Sequence, residues 1–181
     1  ELMYETLYLL RTKYQFRGYI HAKAVPGADA SIIEQTGYLA DRMSVNMELP
    51  TAQSLHNLAP GKTHQAIFKP MKQIQNQIVH HRLALGQSPS MERHYGNHYL
   101  SDSIFSETFI PLENHSPSGS RSKISLPSSK TAPFVPAGQS TQMIIGATPE
   151  NDYELLKVTQ TLYQQFDLKR VFFSAYVPLN Q

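Results

Sequence analysis

Arg42-Met43-Ser44-Val45-Asn46-Met47-Glu48-Leu49-Pro50 alternates polar and apolar residues until a proline closes it. Successive side chains of a β-strand point to opposite faces. One face of this strand therefore collects Ser44, Asn46 and Glu48, and the other collects Met43, Val45 and Met47. Three further stretches read the same way. From Gly18 to Pro26, His21 and Lys23 oppose Ile20, Ala22 and Ala24. From Ser140 to Ala147, Ser140 and Gln142 oppose Thr141, Met143 and Ile145. From Arg170 to Pro178, Ser174 and Tyr176 oppose Val171, Phe173 and Ala175. Polar groups buried without partners are costly, so four polar faces in one domain point to a wet, ligand-holding concavity. An antiparallel sheet with one solvated face would show the same alternation. The helical stretches between these strands weigh against it.

Those helical stretches follow from periodicity and punctuation. Glu1 to Gln15 is amphipathic, with Leu2, Met3, Leu7, Leu9 and Leu10 apolar. Pro26-Gly27 ends the first strand, and Asp29 or Ser31 can cap a short helix over 32–40. Thr51 can cap another around Leu55 and Leu58, which Pro60-Gly61 closes. Thr63 to Leu85 is the longest helical stretch, with Ile67, Met71, Ile74 and Ile78 at helical spacing. Pro70 lies inside it, so a kink or a fresh start is expected there. Pro149-Glu150-Asn151-Asp152 opens a last helix striped by Leu155, Leu156, Val158, Leu162, Tyr163 and Phe166. Helices alternating with strands predict an α/β domain with a parallel sheet and right-handed crossovers. Four strands leave free edges, and the first helix has no strand before it. The chain reads as the later part of a larger α/β barrel or half-barrel, carried by residues 1–85 and 134–181.

Between these parts, residues 86–133 read as an insertion. Its second half, Asn114 to Pro133, holds seven serines and three prolines in 20 residues, a composition that repays ordering poorly and predicts disorder. Within the insertion, His94 and His98 have a metal-like spacing, but Gly96 lies between them and no carboxylate accompanies them. Arg121, Lys123 and Lys130 read either as phosphate contacts or as solvated linker charges.

Composition narrows the function classes. The 181 residues suffice for one domain with a sizeable core. A net charge of +2 does not by itself argue for nucleic acid. There is no cysteine, so this chain alone builds no disulfide framework, thiolate zinc site or cysteine-ligated cluster. No apolar run has membrane-spanning length, and no signal peptide is present, so a cytoplasmic protein without a membrane partner is expected.

Five blocks carry a family resemblance: GYIHAKAVPG (18–27), LADRMSVNMELP (39–50), LAP (58–60), PAGQSTQMIIGATPE (136–150) and RVFFSAYVP (170–178). In this order they resemble the DNA modification/repair radical SAM proteins, over nearly everything except the insertion. The resemblance implies a partial TIM-type barrel of six βα units. Its three-cysteine loop holds a [4Fe–4S] cluster that cleaves S-adenosylmethionine to a 5′-deoxyadenosyl radical. The four strands here would be the third to sixth. The cysteine loop is not in this sequence, so the resemblance implies a fragment of a longer enzyme, with the cluster held by a missing N-terminal part. Nucleic-acid modification or repair, with nucleic acid as a partner, is the activity the family name implies.

Read against that family, the candidate cofactor-binding residues are Lys23, Ser44, Asn46, Glu48, Gln139, Ser140, Gln142 and Gly146. Lys23 suits the cofactor carboxylate or an ion pair with Glu48. Ser44, Asn46 and Glu48 suit ribose hydroxyls. Gly146 fits a glycine of the adenine strand, while Gln142 stands where another glycine is often found. His21, Ser174 and Tyr176 are the substrate-facing candidates; His21 reads more readily as a hydrogen-bonded core histidine. Arg42, at the start of its strand, reads as structural or solvated. No catalytic residue and no metal ligand is assigned, and the oligomeric state is open. Two rivals stand beside this reading: a barrel lyase using Lys23 as a Schiff-base amine, and a truncated, non-catalytic binding module.

Overall fold

The computed structural model describes residues 1–84 and 133–178. In chain order the elements are α1 (Leu2–Thr12), β1 (His21–Lys23), α2 (Ala30–Leu39), β2 (Arg42–Ser44), α3 (Ala52–Leu58), α4 (His64–Ala84), β3 (Gln139–Ile145), α5 (Asp152–Phe166) and β4 (Arg170–Ala175). The insertion assigned to 86–133 falls almost wholly outside the described residues, as do His94, His98, Arg121, Lys123 and Lys130.

Helix starts sit where side chains can satisfy the first free amides. The Asp29 carboxylate accepts from the Ser31 amide, and the Thr51 hydroxyl from the Ser54 amide. Asn151 and Glu154 form a reciprocal capping box. Pro70 neither ends α4 nor restarts it: the helix is continuous over 21 residues with Pro70 inside it, buried. Proline cannot donate to the Ala66 carbonyl, and burial of Ile67, Phe68, Met71 and Ile74 around it holds the helix against that loss.

The described strands form one parallel sheet in the order β1-β2-β3-β4, with β1 and β4 at its edges, so it is not a closed barrel. Its register is Ala22 opposite Met43, Met43 opposite Gln139, and Thr141 opposite Val171. Ala22, Met43, Val45, Met47 and Met143 pack in one core with Leu7 of α1, Ile33 of α2, Ile74 of α4 and Leu162 of α5. The described helices thus gather on one sheet face, the short α3 joining the same core through Leu55. The other face carries His21 and Lys23, then Ser44, then Ser140 and Gln142, then Phe172 and Ser174.

The starts of β1 and β2 are tied together by one arginine. Arg11 donates to the carbonyls of Leu39 (2.9 Å), Phe16 (2.8 Å) and Gly18 (3.0 Å) and to Asp41 Oδ2 (2.9 Å). The same Asp41 oxygen accepts the Ile20 amide at 2.7 Å. Close packing at α2 uses Gly37: a Cβ there would collide with the ring of Phe134, which leads into β3.

The ladder between β2 and β3 contains a bulge. The Val45 amide donates to the Ser140 carbonyl, but the next β2 donor, to Gln142, is Glu48 rather than Met47. Thr141 fills the gap with its side chain. Its hydroxyl donates to the Val45 carbonyl at 2.7 Å and accepts the Met47 amide at 2.9 Å, fully inside the core. Replacing Thr141 by valine keeps the shape and removes both bonds, leaving two buried backbone groups unpaired. We expect a loss of about 1–3 kcal/mol in denaturant unfolding, and most of it restored in Thr141→Ser. A valine variant as stable as the parent would refute this role.

Candidate functional site

Parallel register sets the uncovered face out in rows. Lys23, Ser44, Ser140 and Arg170 form one row across all four strands. His21 and Arg42 begin the row before it, and Gln142 and Phe172 lie in the row after. His21, Lys23, Phe172 and Tyr176 are exposed, whereas Ser44 and Ser140 are buried at the base of the face. Asn46 and Ser174 are half-buried.

At the start of this face, Arg42 Nε donates to the Tyr19 hydroxyl at 2.8 Å. Partial burial and the positive charges of Arg42 and Lys23 push the His21 imidazole below its ordinary value, so the neutral ring is favoured. That neighbourhood is cationic. The only acid in the four strand stretches quoted above is Glu48.

Glu48 lies elsewhere than alternation predicts. The bulge brings it opposite Met143, with φ at 65°, and its carboxylate pairs with Lys62 at 3.4 Å. Its ion-pair partner is therefore a lysine from the turn before α4, not Lys23.

Gln139 also departs from expectation. Its register with Met43 turns it to the helix face, where it is fully buried. Its Nε2 donates to the Phe166 carbonyl at 2.6 Å and to the Met71 carbonyl at 3.2 Å. Phe166 ends α5, where carbonyls lack helical donors, so this amide caps α5 while gripping α4. It is unavailable to a ligand on the opposite face. Gly146, just past β3, has φ at 83° and nothing within 4 Å of where a Cβ would stand, so its backbone is approachable.

Two groups escaped sequence reasoning. Arg42 shares the alternating face of Ser44 and Asn46, a signal that its position at the strand start masked. Glu150, read only as part of a helix start, has a carboxylate oxygen that accepts from Thr51 (2.6 Å) and from Ser54. It thereby ties the start of α3 to the loop after β3. No spacing in the sequence joins residues 99 and 96 positions apart.

Among the described residues no group of three or more His, Cys, Asp or Glu could hold a metal ion. No described helix is long and apolar enough to cross a membrane. No family model, no curated protein and no solved structure matches this chain.

The Glu150 carboxyl responds to two opposed effects. Burial disfavours its charge, but hydrogen bonds from Ser54, Thr148 and Thr51 outweigh that and hold it below its ordinary value of 4.5. A carboxyl lowered on folding stabilises the fold above its unfolded value, and the contribution is lost as pH falls through the lower folded value. Glu150→Gln should therefore melt below the parent near neutral pH, and the gap should narrow well below 4.5. A gap that stays constant with pH would contradict this.

Proposed function

We propose that this chain supplies the later four βα units of a partial TIM-type barrel of the radical SAM kind and binds S-adenosylmethionine on its uncovered sheet face. The observation that carries the reading is the sheet itself. Four parallel strands run in sequential order, with helices over one face and polar side chains on the other. Barrel enzymes place their sites where strands end, and here Asn46 and Glu48 follow β2 and Gly146 follows β3.

The residues present fit the cofactor in part. Lys23 offers a cation for its carboxylate, and Ser44 and Asn46 offer groups that suit ribose hydroxyls. The open backbone at Gly146 suits a flat purine. Ser140 and Gln142 lie on the same face, and His21, Ser174 and Tyr176 flank it toward a substrate. The [4Fe–4S] cluster does not fit this chain: it has no cysteine, and no step through the cluster is derived from its residues. Action on nucleic acid rests on the family resemblance alone. The Schiff-base alternative is weaker, because Lys23 is exposed and lacks the apolar enclosure such a lysine uses.

Calorimetric titration with S-adenosylmethionine tests the reading. Asn46→Ala and Glu48→Ala should each weaken binding about tenfold, or about 1.4 kcal/mol. Binding by the parent that neither substitution alters would remove both residues from the site. No binding by the parent would leave the truncated, non-catalytic module as the better description.

A further inference from the structure

Arg42 opens β2 with only 9% of its surface exposed. One guanidinium nitrogen is engaged by Tyr19, but Nη1 is buried with no hydrogen-bond partner among the described residues. On the adjoining strand, Ser140 is 0% exposed, and its Oγ is likewise buried without a partner. Both residues belong to the polar face of the sheet, with these two atoms closed off beneath its surface. The nearby acid Asp41 is committed to Arg11, and Glu48 to Lys62. A guanidinium is always charged and presents a planar fork of donors, which matches the oxygens of an oxyanion. A buried cation without a counter-charge is costly. An oxyanion would answer both unsatisfied donors at once.

The surroundings specify the charge of that oxyanion. Lys23 and Arg170 stand at the two ends of the row that contains Ser44 and Ser140. With Arg42 they make three permanent cations on one face, and His21 stands opposite Arg42 across the β1–β2 ladder. Strands lie about 4.8 Å apart, so the row is on the order of 14 Å long. A field of that size and sign favours a multiply charged anion over a single carboxylate.

We propose that Arg42 and Ser140 form the centre of a phosphate-binding site beneath the polar sheet face, taking inorganic phosphate or the phosphate of an ester, with Lys23 and Arg170 supplying the surrounding positive charge. Ser140 and Lys23 are shared with the cofactor reading, Arg42 is not, and the inference does not rest on that cofactor.

Titration of inorganic phosphate into the full chain at low ionic strength tests it. The parent should bind saturably, and Arg42→Gln and Ser140→Ala should each bind about tenfold more weakly. Lys69→Gln, at an exposed position of α4, should bind as the parent does. Non-saturating heats in the parent, or equal affinity in Arg42→Gln, would overturn the site. If Arg42→Gln does not fold by circular dichroism, Ser140→Ala and Arg170→Gln decide, and unchanged affinity in both would overturn it. S-adenosylmethionine added as a competitor separates the two anion sources. Simultaneous binding supports a distinct phosphate site. Displacement of phosphate that requires Arg42 would assign the guanidinium to the cofactor carboxylate and overturn the proposal.

Discussion

The hydroxyl of Thr141 is the contact on which the middle of this sheet depends. A parallel ladder has no tolerance for an extra residue unless something satisfies the backbone groups that the extra residue displaces. Thr141 does so from inside the core, donating to Val45 and accepting from Met47. Everything beyond the bulge on β2 takes its position from that arrangement. Glu48 turns to Lys62, and Met47 stays buried. Two residues earlier on the same strand, Gln139 plays a related part by holding the Met71 and Phe166 carbonyls. Strand β3 thus organises both its neighbouring strand and two helices through buried polar side chains.

A second constraint follows from the described helices packing on one side of a parallel sheet. Parallel sheets are ordinarily covered on both faces. Here the helices bury methionines, alanines and branched side chains on one face, while the opposite face ends in exposed histidine, lysine, phenylalanine and tyrosine. A surface of this kind is suited to hold a ligand or to meet further chain. Its charge is one-sided, because the strand stretches carry Lys23, Arg42 and Arg170 against the single acid Glu48, which has its own lysine. The adenosylmethionine and phosphate readings share Lys23 and Ser140 in one row of the face, the first extending from it toward Asn46 and Gly146 and the second toward Arg42.

Much of the fold was legible in the residues because its signals are local. Asp29, Thr51 and Asn151 start helices in the structure as their side-chain chemistry predicts. Period-two alternation separated Ala22, Met43 and Met143 from Lys23, Ser44 and Ser140, and the register keeps those sets apart. Two residues lie elsewhere than the sequence reading put them, and alternation itself failed at only one. Glu48 lies past a bulge, and no local pattern announces one extra residue. Gln139 was grouped with the ligand-facing residues for its chemistry, although its parity with Thr141 and Met143 already put it on the helix side. Pro70 predicted a break that burial of its neighbours overrode.

The sequence by itself determined the order of helices and strands, the parallel α/β class, the face on which apolar side chains gather and the absence of any cysteine ligand. Each of these depends on side-chain type and spacing within a few residues. Only the tertiary structure decided that Thr141 repairs the ladder, that Gln139 caps a helix, that Glu150 joins the loop after β3 to α3, and that Arg42 is buried with a donor unmatched. Those are contacts between groups distant in the chain. Whether a polar side chain is satisfied depends on which backbone groups packing leaves without partners, and that is settled when the layers close.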